Sequence, residues 1–262
     1  MIRRFLLGAA FAVTAAVTQP LVAPAAYAQE AAAEPELLKG DWSFSGIFGT
    51  VDKASAQRGL QIYKEVCSNC HGLYEMSYRN IAALGYSDEQ VKNFAAQFQV
   101  NDLNDDGAVI QRPAKPSDKF VRPFPNEKAA RAANNGAYPP DLALIVKARE
   151  GGVNYVYSLL QGYKDAPKDV KLADGQYYNI YFTAGGQKIG MPQPLTDGAV
   201  TFEGGAPNDL KSEAHDVATF LAWAAEPEQD ARKRLGVRVM LFLIVLTGAL
   251  YYAKRKIWSD LH

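Results

Sequence analysis

The sequence predicts a mainly α-helical domain, wrapped by long irregular segments and tied to a membrane by one C-terminal transmembrane helix. Three observations carry this reading. Helix-forming stretches with recognisable start and stop signals recur between residues 54 and 225. Between two of them, residues 163–205 are rich in Gly, Pro and Tyr and show no helical period, and a connection of that length inside a compact domain is usually functional. Residues 236–253 are nearly all apolar, with Arg238 near the start. At ~1.5 Å per residue such a helix reaches about 27 Å, close to the hydrocarbon thickness of a bilayer.

The elements follow in chain order. Met1-Ile-Arg-Arg, an apolar run over 5–17 and the ending Ala26-Tyr27-Ala28 make a secretory signal peptide over 1–28, too short in its apolar part for a good span. Its removal leaves Gln29 as first residue of an exported domain, 29–231, in an oxidising compartment. Residues 54–66 have helix-forming composition, with Leu60, Tyr63 and Val66 on one face. Ser87-Asp-Glu-Gln90 is a capping box that opens a helix to about Phe98. Residues 101–124 are polar and Pro-rich and read as a loop. Asn126 caps a helix over 127–134, stopped by Gly136. Pro139-Pro140-Asp141 opens a helix through Arg149, ended by Gly151-Gly152, and a third short helix covers 153–162. Ser212 caps a helix to about Ala225; Pro227 breaks it, and a new helix from about Glu228 leads into the apolar span.

That span has basic residues at both ends: Arg232, Lys233 and Arg234 before it, Lys254, Arg255 and Lys256 after it. Such side chains reach the headgroups by snorkelling, and Tyr251, Tyr252 and Trp258 suit an interfacial position. A core helix would have to bury these charges. The anchor is therefore expected over 232–256. Since the large domain is exported, 257–262 forms a cytoplasmic tail, and the chain is a single-pass protein of the bacterial inner membrane with its domain in the periplasm.

Bulk composition narrows the function. Hydrophobic residues make up 48% and charged residues 21% of the 262, as in ordinary globular proteins. The formal net charge is zero, but 29–231 holds 19 Lys and Arg against 27 Asp and Glu, a net charge of about −8. That excludes nucleic acid as a natural partner and favours a basic one. Two cysteines, Cys67 and Cys70, build neither a disulfide framework nor a complete zinc site.

Their context is Cys67-Ser-Asn-Cys70-His71, the attachment pattern of a c-type haem. Each thiol adds to one haem vinyl group, and the adjacent histidine offers its imidazole to the iron. A thioredoxin-like redox pair would need a βαβ setting that is missing, and a zinc half-site lacks its other half. The second axial ligand follows by elimination. Met76 lies too soon after His71 to cross to the other haem face; Met240 and His262 belong to the span and tail. His215 falls on the side of its helix away from Val217, Phe220, Leu221 and Ala224, and reads as solvated. Met191 remains, within Gly185-Gly-Gln-Lys-Ile-Gly-Met-Pro192, where glycines permit close backbone approach and Pro192 fixes the chain direction. The expectation is one covalent haem c with His71 and Met191 on the metal. A thioether favours ferrous iron, and two filled axial positions point to outer-sphere electron transfer. Asp102-Leu-Asn-Asp-Asp-Gly107 resembles a calcium loop, but its twelfth position is Pro113 where a glutamate is needed.

Several stretches resemble the cytochrome c1 family, the c-type haem subunits of ubiquinol–cytochrome c oxidoreductase (the bc1 complex). They are Phe44-Ser-Gly-Ile-Phe, Val66-Cys-Ser-Asn-Cys-His-Gly, Arg122-Pro-Phe-Pro-Asn, Ala129-Ala-Arg-Ala-Ala-Asn-Asn-Gly, Tyr138-Pro-Pro-Asp-Leu and Lys147-Ala-Arg-Glu-Gly-Gly. Tyr155-Val-Tyr-Ser-Leu-Leu-Gln-Gly-Tyr, Ile189-Gly-Met-Pro, Trp223-Ala-Ala-Glu-Pro-Glu and Arg232-Lys-Arg-Leu-Gly continue the likeness. The resemblance implies a class I-like cytochrome c domain with long wrapping loops. It implies His71 and Met191 as axial ligands, Arg149 paired with a haem propionate, and Tyr155 and Asn134 beside the haem. It further implies an electron-transfer subunit with no autonomous catalytic site, taking electrons from a Rieske iron–sulfur protein and giving them to a soluble or anchored cytochrome c. Cytochrome b and membrane lipid would be its neighbours, in a dimeric complex. The chain departs from some members in having no second cysteine pair before Met191 and no long acidic N-terminal insertion. Two other functions stay open: a stand-alone anchored cytochrome c serving an oxidase, and a haem enzyme with an open sixth position.

Overall fold

Two helices cross at the centre of the domain, α1 (Lys53–Glu65) and α6 (Leu210–Ala225). A computed structural model of the chain describes residues 35–259; the expected signal peptide over 1–28 and the tail residues 260–262 lie outside the described residues. Helix α1 starts where the Asp52 carboxylate accepts the N–H groups of Ala54 and Ser55, and it buries Ala56, Gly59, Leu60, Ile62 and Tyr63. Helix α6 starts three residues earlier than expected, because Asp209 rather than Ser212 is the cap. Asp209 accepts the N–H groups of Lys211 and Ser212, and the Ser212 hydroxyl donates back to it at 2.7 Å.

The crossing is close because Gly59 has no side chain. A Cβ there would sit 2.1 Å from the Asp216 carbonyl oxygen and 2.6 Å from Phe220 Cβ. Beside it the buried Asp216 carboxylate accepts from Ser55 Oγ at 2.6 Å and from the Arg58 guanidinium at 2.5 and 2.8 Å. Burial alone would raise its pKa; His215, Arg58 and Ser55 outweigh that and hold the carboxyl below its ordinary range. His215 is not solvated as expected. It is half-buried, stacked on Trp42 at 4.7 Å, and its Nε2–H donates to the Asp41 carbonyl at 3.0 Å. The helical wheel placed it off the apolar face correctly, but the segment before α1 folds back and covers it.

The shorter elements frame this pair. A 3-10 turn, Tyr78–Leu84, leads to α2 (Asp88–Ala95), which opens on the expected capping box of Ser87 and Gln90. The stretch read as a loop over 101–124 contains part of an antiparallel hairpin, β1 (Gln99–Leu103) with β2 (Val109–Pro113). Its polar residues hid it: the strands are mostly exposed, and only Val100 packs against the core, so they carry no apolar face. The calcium-like residues form its turn, where Asn104 Oδ1 accepts the N–H groups of Asp106 and Ala108, and Asp102 is spent on Arg112 at 2.5 Å. Asn126 caps α3 (Glu127–Ala133) as expected. The helix expected over 139–149 shrinks to α4 (Ile145–Ala148), since Asp141 binds other partners described below. Helix α5 (Gly152–Gln161) closes one wall. The 163–205 segment is irregular apart from the 3-10 turn Thr183–Gly185 and the two-residue strands β3 (Tyr177–Tyr178) and β4 (Lys188–Ile189), paired antiparallel.

Helix α7 (Gln229–Ile257) begins directly after Pro227. Its most apolar window has mean hydropathy 1.9 and is 0% buried, and among the described residues it is the one helix long and apolar enough to cross a membrane. Its first turn is tied to the domain. Asp230 accepts the Val51 N–H at 3.2 Å, Arg232 Nε donates to Glu226 at 2.7 Å, and the Lys233 ammonium donates to the carbonyls of Phe44 and Gly49.

Gly59→Ala should destabilise the domain by about 1–3 kcal/mol through overpacking at the α1–α6 crossing, read from chemical denaturation. Because the folded Asp216 carboxyl titrates below its unfolded value, its contribution is complete above the ordinary carboxylate range and is lost as pH falls through the folded value. Asp216→Asn should therefore give a urea midpoint that falls less between about pH 6 and about pH 3 than the parent's does.

Candidate haem-binding site

Helix α1 runs directly into the cysteine motif through a 3-10 turn, Cys67–Asn69. The turn closes on one acceptor: the N–H groups of Cys70 and His71 both donate to the Cys67 carbonyl, at 3.1 and 2.9 Å. The Ser68 hydroxyl donates to the Lys64 carbonyl at 2.7 Å, and the Tyr63 hydroxyl to the His71 carbonyl at 3.0 Å. Both thiols are free. Burial, then the neighbouring Cys70, pushes the Cys67 thiol up to about 12. Protonated at neutral pH, it is a poor nucleophile in the folded chain.

His71 is held at its ring as well as its backbone. Nδ1 lies 2.7 Å from the Pro140 carbonyl oxygen. A carbonyl only accepts, so Nδ1 carries the proton and Nε2 keeps its lone pair. Nε2 makes no hydrogen bond among the described residues. Burial lowers the pKa below that of ordinary histidine, so the ring is neutral at pH 7 and able to bind a metal.

The 139–143 segment that supplies this carbonyl is fixed by Asp141. One carboxylate oxygen accepts the Tyr74 N–H at 2.8 Å and the other the Ala143 N–H at 2.9 Å. The Leu142 N–H donates to the Gly72 carbonyl at 2.9 Å. Asp141 thus joins the two chain segments at the histidine and starts no helix.

Cys70, His71, Asn134, Arg149, Tyr155 and Met191 line one cavity of about 340 Å³, and Ile145, Val156, Leu159, Leu160, Phe182 and Ile189 make much of its wall apolar. Cys67 is half-buried against the core, one turn before Cys70. The loop bearing Met191 is built to stay in place. The Tyr163 hydroxyl donates to the Met191 carbonyl at 3.0 Å. A Cβ on Gly190 would lie 2.8 Å from Ala137 Cβ, so the loop approaches the 137–140 segment closely. Buried Asn179 donates to the Leu159 carbonyl at 2.7 Å and accepts the Tyr181 N–H at 3.0 Å, which fastens the wrapping segment to α5.

Arg149 stands exposed at the rim, where its Nη1 donates to the Ala148 carbonyl at 3.1 Å; it forms no ion pair among the described residues. It is free to meet an added carboxylate. Tyr155 has its phenol pKa raised by burial, against the opposing effect of Arg149. Asn134 ends α3 and donates to the Ala130 carbonyl at 2.7 Å, so its amide shapes the wall while already engaged.

These residues suit a covalently attached haem. The apolar wall accepts a macrocycle, a neutral imidazole presents a free nitrogen, a thioether shares the cavity, and a guanidinium with no ion pair among the described residues stands at the rim, able to meet a carboxylate. Sequence reasoning missed the Pro140 carbonyl, Asp141, Tyr163 and Asn179. Asp141 carried a signal, but following two prolines it read as a helix start.

The profile of the Cytochrome C1 family matches residues 42–261. A protein of Bradyrhizobium diazoefficiens named cytochrome b/c1 is 47% identical over 244 residues, covering 84% of this chain and 35% of that protein, so the chain spans about a third of its length. Cytochrome c1 of Rhodospirillum rubrum is 46% identical over 241 residues, covering 86% of this chain and 88% of the relative. The mitochondrial heme protein cytochrome c1-2 of Solanum tuberosum is 46% identical over 222 residues, covering 84% of each. The chain belongs to the cytochrome c1 family.

Tyr163→Phe removes one hydrogen bond to the Met191 loop, worth about 1 kcal/mol. Amides of residues 188–191 should exchange faster by hydrogen–deuterium mass spectrometry, while α1 and α6 keep their protection.

Proposed function

We propose that this member of the cytochrome c1 family is the electron-carrying haem subunit of a ubiquinol–cytochrome c oxidoreductase, receiving electrons from a Rieske iron–sulfur protein and delivering them to a soluble or anchored cytochrome c. The observation that carries the reading is the shared cavity, which joins a neutral imidazole with a free Nε2 to the Met191 loop beside Cys70. Cys67 and Cys70 would hold one haem c through thioethers, with His71 and Met191 as its axial ligands. When bound, the group supplies a reversible one-electron change at iron.

The chain's own residues do the rest. Pro140 orients the imidazole and fixes its tautomer, as outer hydrogen bonds commonly do for metal-bound histidines. Tyr163 and the Gly190 contact keep the thioether loop seated. The apolar wall excludes water, which favours the less charged ferrous state. Arg149 would offset a propionate, with Tyr155 and Asn134 as neighbours.

The domain plan follows: signal peptide over 1–28, a class I-like cytochrome c domain with wrapping loops over 29–231 in the periplasm, the anchor over 232–256 and a cytoplasmic tail over 257–262. The exposed apolar surface of α7 supports the anchor. The relative named cytochrome b/c1 supports cytochrome b as the membrane neighbour. The complex would be a dimer in membrane lipid. The acidic balance of 29–231 suits a basic electron acceptor, steered in at long range.

Purification from native membranes should bring down a cytochrome b and a Rieske protein together with a c-type reduced-minus-oxidised spectrum; a red chain recovered alone would indicate a stand-alone carrier. Met191→Leu should keep the haem attached and lower its midpoint by on the order of 0.1 V. An unchanged midpoint in redox titration would remove Met191 from the ligand set.

A further inference from the structure

We propose that the cleft between residues 44–50 and the start of α7 is a phosphate site for an anionic phospholipid, with Arg234 and Arg238 as its cations and Ile47 and Phe48 as its acyl-chain contacts. The proposal rests on the reading of α7 as a membrane anchor.

The loop is a built feature. The Ser45 N–H donates to the Trp42 carbonyl at 2.9 Å, and Gly46 takes φ +71°. A Cβ on Gly49 would lie 2.0 Å from the Ser45 carbonyl oxygen, so the chain turns as tightly as glycine permits. Lys233 then binds the carbonyls at both ends, Phe44 and Gly49. The hydrogen bonds of this arrangement fix a hydrophobic tip in the open: Ile47 is 71% and Phe48 82% exposed. Holding two large apolar side chains in water at a fixed position is unfavourable unless something apolar covers them.

Beside the tip lies a cavity of about 220 Å³, with Val237 on its wall between Arg234 and Arg238. The two arginines are exposed, stand four residues apart on one helix face, and form no ion pair or hydrogen bond among the described residues. Like charges at that spacing repel. Asp230 also lines the cavity, but its carboxylate accepts the Val51 N–H and pairs with neither arginine. The Lys233 ammonium is occupied by two carbonyls, so the site keeps an uncompensated positive charge. Two guanidiniums over an aliphatic wall match a phosphodiester, which takes forked hydrogen bonds, better than they match a neutral headgroup. The location fits as well: from Val239 to Ala253 α7 is apolar and exposed, so tip and cations stand where the helix enters hydrocarbon.

The test uses the full chain in nanodiscs of mixed dioleoyl-phosphatidylglycerol and dioleoyl-phosphatidylcholine, with retained lipid counted by native mass spectrometry. Preferential retention of phosphatidylglycerol is expected, falling roughly fivefold for each charge removed in Arg234→Gln and Arg238→Gln. Phe48→Trp fluorescence should be quenched by phosphatidylglycerol brominated on its acyl chains. Equal retention of both lipids, or unchanged selectivity in the two Gln variants, overturns the proposal while leaving the anchor intact if the chain stays in the disc. Loss of the chain from discs on carbonate washing removes the anchor reading and the site with it. Cross-linking of position 48 to another protein in native membranes, without quenching by brominated lipid, assigns the tip to a protein contact and also overturns the proposal.

Discussion

The hydrogen bond from His71 Nδ1 to the Pro140 carbonyl is the contact on which the arrangement of the site turns. It settles three matters at once. The proton is placed on the nitrogen away from the cavity, the ring plane is fixed, and two segments almost seventy residues apart in sequence are brought together. Proline suits the acceptor segment because it offers a carbonyl while its own nitrogen needs no partner. Asp141, one residue on, secures the same junction by taking the Tyr74 N–H. The motif therefore does not depend on its own short turn for rigidity; it borrows it from a chain segment that sequence distance alone would not have associated with it.

The far part of the cavity is made differently. No long helix carries Met191, and the wrapping segment has only one 3-10 turn and a pair of two-residue strands. Its order comes from discrete polar contacts placed among apolar surroundings: Asn179 to α5, Tyr163 to the Met191 carbonyl, and the Tyr178 hydroxyl to Gln187 at 2.8 Å. Such contacts are expensive to leave unmade once buried, so each specifies one path for the backbone. A loop fixed in this way holds a side chain in position with little secondary structure.

What could be read from the sequence followed the range of the interactions. The cysteine motif, the capping box at Ser87, the cap at Asn126 and the apolar span of α7 are written in adjacent residues, and these three helices appeared where composition and caps placed them. The hairpin at 99–113 was missed because its strands pair with each other at the surface and carry no apolar alternation. The helix at 139–149 was overextended because the partner that diverts Asp141 is Tyr74, far away in the chain. His215 was read as solvated because the Trp42 ring that covers it belongs to an irregular segment. At the cavity, the candidate residues were visible one by one, but the carbonyls and hydroxyls that orient them were not.

The joint between domain and anchor has a mechanical corollary. Only the residues around Pro227 separate α6 from α7, and Arg232 and Lys233 lash the first turn to the body above it. There is no slack to let the cavity swing, so its altitude and compass heading over the bilayer are inherited from the tilt and rotation of a single rod. An α-helix advances about 100° per residue. One residue inserted into α7 beyond Lys233 would turn the cavity mouth, relative to the apolar part of the rod, by more than a quarter of a circle while leaving the contacts of the domain in place.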